Sequence, residues 1–322
     1  MKSSSAGSRV SRMLLPRLWL LLFLTALAML AGFLGSLHWF AELFAHFQVQ
    51  YLGLLLVLGV AFVFLRQRAG WIACLVLALF PIARLGPLFF PVHHTEGDRG
   101  LRLISYNVLF KNENKQEVIE WLADSGADVI YLTECDRTWA NALKILHSYY
   151  PYHSSDHTLG SLSYRVLSRH PIHDVTVHQV EDQPLVQAAV DTPAGRVVVF
   201  GAHPLPPMNG DFAGRNRSYL KMLNDRAQNV STPAVILGDL NATRWASGVR
   251  GILDSGYKDT SQGFGYQPTW LKKSLIFAIP IDHVLTRDMP PVMDRWIGPA
   301  MGSDHSPVVV DFLQTQPSLP AD

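Results

Sequence analysis

Residues 18–37 carry no charge and read LWLLLFLTALAMLAGFLGSL. A helix needs about 20 apolar residues to cross a bilayer, so this run is either a membrane span or a cleaved leader. Against the leader reading, two more uncharged runs follow at 43–65 and 69–83. Spans are therefore expected at about 18–37, 49–65 and 70–90, forming an N-terminal anchor over 1–94.

Charge divides the chain at the same place. Residues 1–94 hold seven Lys/Arg and one acid, Glu42, while 95–322 hold 20 Lys/Arg and 25 Asp/Glu, giving net charges of +6 and −5. Lys2, Arg9, Arg12 and Arg17 precede the first run, Arg66 and Arg68 lie in the second connection, and the first connection has neither Lys nor Arg. The positive-inside rule puts the N-terminus and the second connection in the cytoplasm, so three spans carry 95–322 to the extracytoplasmic side. The third run contains Pro81, Arg84 and Pro87. If it is re-entrant, the domain stays cytoplasmic. Arg84 either snorkels to headgroups or faces an anionic lipid head.

The remaining 228 residues suffice for one domain with a full core. At 48% apolar and 16% charged, the chain is neither disordered, coiled-coil nor collagenous. Its two cysteines, Cys74 and Cys135, cannot make a disulfide scaffold or an all-thiol zinc site. Short apolar, β-branched runs at 101–109, 127–134, 165–172, 184–192, 196–203, 233–242, 281–286 and 306–312 predict strands. Helical spacing marks 114–126, ending at Gly126, and 215–229. Together these predict a layered α/β domain with sheet on sheet inside and helices outside.

Several predicted strands end in polar residues that a core would exclude: Asn107, Glu134, His203, Asp239 with Asn241, Asp282 with His283, and Asp304 with His305. Each has an ordinary explanation, such as an Asx turn at Asp239 or a Glu134–Arg137 pair, but together they point to one site at a sheet edge. Glu134, Asn107 and the aspartates are hard oxygen donors suited to Mg2+ or Mn2+. The histidines supply proton transfer or charge stabilisation, and Asp239 with Asn241 can orient a water and polarise a phosphoryl oxygen. This set suits metal-assisted phosphoester hydrolysis. No G-x-S-x-G, P-loop or H-E-x-x-H pattern supports an esterase, NTPase or zincin.

The blocks SYNV (105–108), YLTE (131–134), VLSRHPI (166–172), GAHP (201–204), LGDLNA (237–242), PTW (268–270), IDHVL (281–285) and GSDHSPVVVDF (302–312) together resemble the endonuclease/exonuclease/phosphatase, or DNase I-like, superfamily. The resemblance implies a four-layer α/β sandwich with the site at one end of two packed sheets. It implies that Glu134 is a metal ligand with Asn107 beside it, and that Asp282 and Asp304 complete the metal-binding acidic pocket. It makes His203 a phosphate contact, Asp239 the group that positions water, and Asn241 a phosphate-binding residue. Asp304 would orient His305, the acid/base or stabilising histidine. Thr133 stands where the family usually has Gln, and Cys135 reads as a buried filler. With three spans ahead of it, the domain looks like the multi-span bacterial members, including the group linked to glycopeptide resistance, whose proposed substrate is a lipid-linked pyrophosphate.

The expected activity is thus a membrane-anchored, Mg2+-dependent phosphoesterase acting on a polyprenyl phosphate or pyrophosphate. A tethered nuclease is the alternative, disfavoured by the net charge of −5, and a non-catalytic scaffold is a third reading. Arg215 and Arg217, at the start of the helix after His203, are candidate phosphate contacts or else solvated first-turn residues. The segment 261–277, with Trp270, Lys272, Lys273 and Phe277, reads either as a lipid-touching loop or, as preferred, as core aromatics with surface lysines. His93 and His94 read as linker. His147, His153, His157, His170, His173 and His178 lack ligand spacing.

Overall fold

The computed structural model describes residues 4–90, 97–155, 162–193, 195–271, 274 and 276–314. His93, His94, His157, Lys272 and Lys273 lie outside the described residues. Contacts divide the chain into two compact units, Met1–Pro87 and Leu88–Asp322.

The first unit is helical: α1 (Ser4–Phe33), α2 (Trp39–Glu42), α3 (Gln48–Phe64) and α4 (Arg68–Phe89), whose last two residues belong to the second unit. Leu22, Met29, Leu55, Leu58, Phe62, Cys74 and Ala78 form its buried seam. Gly70 is required there, because a Cβ would sit 2.4 Å from the Phe62 ring. The outer faces are apolar as well, with Phe23, Leu27, Val57, Phe64, Val76 and Leu79 exposed. Helices apolar on all sides are those of a large protein's core or of a membrane span. Two stretches, Met13–Phe33 and Arg68–Phe89, are long and apolar enough to cross a bilayer. The expected middle span differs: Gln48–Phe64 has 17 residues and reaches spanning length only when joined to Trp39–His46, bent 67° from it. The third run forms a continuous helix despite Pro81 and Pro87.

The second unit runs β1 (Arg99–Asn107), α5 (Lys115–Asp124), β2 (Val129–Thr133), α6 (Arg137–Ala142), β3 (Tyr152–His153), β4 (Tyr164–Ser168), β5 (Ile172–Val180), β6 (Gln183–Thr192), β7 (Gly195–Ala202), α7 (Gly210–Gln228), β8 (Ala234–Asp239), α8 (Ser247–Asp254), β9 (Lys258–Asp259), β10 (Asp282–Arg287), β11 (Val292–Ile297) and β12 (Val308–Leu313). Two six-stranded sheets result, ordered β11-β12-β1-β2-β4-β3 and β5-β6-β7-β8-β10-β9. Each has one parallel pair, β1–β2 joined through α5 and β7–β8 through α7, with the other pairs antiparallel.

Strand alternation builds the layers. Leu101, Leu103, Val129 and Tyr131 face Val199, Val235, Leu237 and Val284 across the sheet-to-sheet core. The intervening Ile104, Tyr106, Ile130 and Leu132 point outward to Val118, Leu122 and Trp139 on α5 and α6. Phe200, Ile236 and Leu285 pack on Tyr219, Leu223, Val249 and Ile252 of α7 and α8. Close approach of the sheets demands Gly201, where a Cβ would lie 2.2 Å from the Tyr131 ring. The outcome is a mixed α/β, two-sheet domain with helices on its outer faces.

Candidate active site

The topology explains why the polar strand ends meet. A parallel pair presents both C-terminal ends on one side, which is where α/β sheets gather ligand-binding groups. Asn107 ends β1, Glu134 follows β2, His203 follows β7 and Asp239 ends β8. Strands antiparallel to these begin at the same side: Asp282 opens β10 directly opposite Asp239, and His305 lies three residues before β12. Glu134 and Asn241 adopt left-handed backbone, with φ of +61° and +51°. Such values are uncommon outside glycine and concentrate at functional sites.

Asp239 is the hub. Its Oδ1 accepts from the Asn241 backbone N at 2.8 Å, fixing an Asx turn. Its Oδ2 accepts from Asn107 Nδ2 at 3.1 Å and lies 3.6 Å from Nε2 of both His203 and His305. Asn107 Nδ2 also donates to Glu134 Oε1 at 3.0 Å, and Glu134 Oε2 accepts from Phe110 N at 3.2 Å. One amide thereby ties a carboxylate on each sheet to the other. Asn241 Nδ2 donates to the Pro204 carbonyl, linking the loops after β7 and β8.

Burial sharpens the electrostatics. Asp239, Asp282, His203 and His305 are all buried. Desolvation, reinforced by the Asp282 charge, lifts the Asp239 carboxyl to about 6 despite the histidines. Desolvation also works against charge on His305, but Asp282 and Asp239 outweigh it and raise the imidazole to about 10. Burial would raise Asp282 too, yet the His305 charge and hydrogen bond hold it below the usual carboxylate range. His203 faces Asp239 at 3.6 Å, but burial outweighs that charge and lowers its pKa. The pocket thus holds a cationic His305, a more neutral His203 and a carboxylate poised near neutrality.

Asp282, not Asp304, orients His305. Asp282 Oδ2 lies 2.9 Å from His305 Nδ1, whereas Asp304 Oδ2 accepts from Trp270 Nε1 at 3.2 Å. Asn107 also differs from its expected place as a ligand: its oxygen accepts from Leu109 N, and the group facing the carboxylates is the NH2, which cannot ligate a cation. Arg215 and Arg217 are not at a helix start, because α7 begins at Gly210 under an Asn209 cap. Arg215 donates to the Glu181 carbonyl in the β5–β6 turn, and Arg217 is exposed. The buried residue between them, Asn216, donates to the carbonyls of Leu205 and Leu240 and ties down the loops that carry His203 and Asn241. Phe277 is 56% exposed and so is not core. Cys135 is buried with its thiol pushed well above the ordinary range, as expected of a filler.

Supporting groups that the sequence did not single out are Thr269, whose Oγ1 accepts from Asp282 N at 3.1 Å, and Ser303, which accepts from His305 N and donates to the Asn107 carbonyl. His170 and His173 pair elsewhere, with Asp128 and Asp191, and His283 bonds the Ala242 carbonyl at 2.8 Å.

The donor set fits a divalent cation. Asp239, Asp282 and His305 place ligating atoms within 4.8 Å of one another, and with His305 protonated the two carboxylates are the donors of that trio. Asp282 Oδ1 and Asp304 Oδ1 are buried and accept no hydrogen bond among the described residues. Buried carboxylate oxygens without donors are acceptors that a hard cation would satisfy.

Known structures share this architecture. An endonuclease/exonuclease/phosphatase from Beutenbergia cavernae superposes with a TM-score of 0.57 at 20% identity, covering 66% of this chain and 71% of that one. Danio rerio TDP2 complexed with a single-strand DNA product gives 0.58 at 17% identity, over 67% and 100%. The Neisseria 3′ phosphatase NExo bound to a product DNA hairpin gives 0.51 at 17% identity, over 66% and 100%. No curated protein matches. The endonuclease/exonuclease/phosphatase family profile matches residues 104–305, more than half of the chain, and the chain belongs to that family.

Proposed function

We propose that the protein is a membrane-anchored, Mg2+-dependent phosphoesterase whose substrate is a lipid-linked phosphate or pyrophosphate, a polyprenyl phosphate being the best fit. The observation that carries the chemistry is the buried Asp239 hub between His203 and His305, with Asp282 behind the latter. The lipid assignment rests on the apolar helices Met13–Phe33 and Arg68–Phe89 ahead of a domain with net charge −5. This arrangement resembles that of multi-span members of the family; with the bent pair Trp39–His46 and Gln48–Phe64 as the third crossing, the basic residues before the first span favour an extracytoplasmic domain.

Glu134, Asp304 and Asp282 are the residues that would hold Mg2+, which supplies charge neutralisation at phosphoryl oxygens when bound. Asp239 accepts a proton from the attacking water and aims it, its raised pKa matching a base that works near neutrality. Asn107 keeps Asp239 and Glu134 in register. His305, held cationic by Asp282, stabilises the negative charge that develops on the phosphoryl group, and His203 contacts the same group from the β7 side. Asn241 completes the phosphate contacts.

A tethered nuclease is the second reading, because the TDP2 and NExo structures hold DNA. Full-length protein in detergent with Mg2+, offered a polyprenyl pyrophosphate and plasmid DNA in parallel, separates the two. Phosphate release from the lipid, lost in His305→Ala, is the expected result. DNA nicking without lipid turnover would replace this reading by the nuclease.

A further inference from the structure

The loops that border the site carry an apolar, acid-free rim. Met208, five residues after His203, is 71% exposed; Ile276 and Phe277, five to six residues before Asp282, are 67% and 56% exposed. Five to six residues of chain reach at most about 17–20 Å, which bounds how far each side chain lies from the catalytic strand end it adjoins. The second loop is also pinned at its base: Trp270 bridges to both Ile279 and His305, and its indole donates to Asp304. Phe277 N is fixed by Ser274 Oγ at 3.1 Å, and Ala278 and Ile279 are buried again. The exposed pair is therefore displayed from an anchored base.

Charge singles out the same loops. The segment 204–210, PLPPMNG, has no charge, and 260–281 contains no acid and two bases, Lys272 and Lys273. The remainder of 95–322 carries all 25 acids. An anionic bilayer repels that acidic surface, whereas the segments that carry Met208, Ile276 and Phe277 themselves contain no acid. Large exposed apolar side chains, with lysines close in sequence, are what an interfacial contact uses.

We propose that Met208, Ile276 and Phe277 form a lip that enters the headgroup boundary of an anionic bilayer and admits the phosphate of a membrane-resident amphiphile to His203 and His305. This deepens, and rests on, the lipid-phosphate reading. The occupant is the bilayer surface itself, and the lipid's apolar tail stays within it.

The test uses full-length protein reconstituted into phosphatidylglycerol–phosphatidylethanolamine vesicles with brominated acyl chains. Both native cysteines are buried, so a bimane on Phe277→Cys reports that position alone. Quenching by the brominated chains is expected at 277 and not at an Ile145→Cys control, which is also exposed. Equal quenching at the two positions, or none at 277, overturns the lip. In a second arm, the double variant Ile276→Ser, Phe277→Ser should lose about tenfold in turnover of a vesicle-borne lipid phosphate, equivalent to one lost apolar contact. It should hydrolyse soluble p-nitrophenyl phosphate as the wild type does. Unchanged lipid turnover, or equal loss on both substrates, contradicts the lip. If wild-type protein turns over no lipid phosphate, the functional reading fails, and quenching at 277 still decides the lip by itself.

Discussion

Asp282 Oδ2 lies 2.9 Å from Nδ1 of His305 with both side chains buried, and this pairing sets the charge state of the site. Without it, burial would leave the imidazole neutral, as it does for His203. Asp282→Asn retains shape and removes the charge. It should lower kcat for Mg2+-dependent phosphoester hydrolysis by about 100-fold or more, the range for one acid–base or charge-stabilising group. Circular dichroism checks that the fold persists.

The same pairing gives a pH-dependent stability. His305 has a folded-state pKa raised from 6.5 to about 10, so its stabilising contribution is complete below pH 6.5 and is lost as pH climbs toward 10. Asp239, raised from 3.8 to about 6, acts with the same sign but has finished by pH 7. In EDTA, between pH 7 and 8, below the ordinary pKa of thiols and phenols, the His305 contribution to stability should fall by at most about 1.4 kcal/mol per unit. His305→Gln should flatten that slope in thermal melts of the full chain.

Asn107 makes no covalent contribution, yet it spans the two sheets through Glu134 and Asp239. Asn107→Ala frees both carboxylates to move and leaves their mutual repulsion unscreened. Mg2+ affinity, measured by calorimetry, should weaken by about 10- to 100-fold, the usual effect of losing a group that orients metal ligands.

Much of this architecture was legible in the sequence. The β-branched runs predicted the central strands, and Gly126, at φ +65°, marked the end of α5. Edge elements were not legible. VMDRWI forms β11 although Asp294 and Arg295 interrupt its apolar pattern, because Arg295 is buried against Gln267. The start of α7 was placed five residues late, since Pro206, Pro207 and Gly210 read as loop while Asn209 caps the helix. The site residues were visible as polar strand ends, but their pairing was not. Asp282 and His305 are 23 residues apart, and only the β8–β10 register brings Asp282 opposite Asp239 and next to the ring.

Arg215 illustrates the same limit and yields its own prediction. Its guanidinium bonds the Glu181 carbonyl and lies 3.9 Å from a fully exposed Asp182, so it braces the β5–β6 turn. Arg215→Ala should cost about 1 kcal/mol of stability, the worth of one hydrogen bond, and leave KM for a phosphoester unchanged. A rise in KM with unaltered stability would restore it to the substrate site.

Gly238 holds the hub in place. Its φ is +145°, and a Cβ would lie 1.8 Å from the Ala202 carbonyl oxygen on β7. Gly238→Ala should destabilise the domain by about 3 kcal/mol through backbone displacement, seen as a lowered melting temperature, and should take activity with it.

The central claim is that Asp239 is the base around which the site is built. Mg2+-dependent hydrolysis by Asp239→Asn, compared with wild type in matched detergent and with folding checked by circular dichroism, tests it most directly. Loss of turnover by about 100-fold or more in a folded variant is the predicted result. Turnover within a few-fold of wild type would contradict it, and the buried cluster would then be a structural network and not a catalytic one.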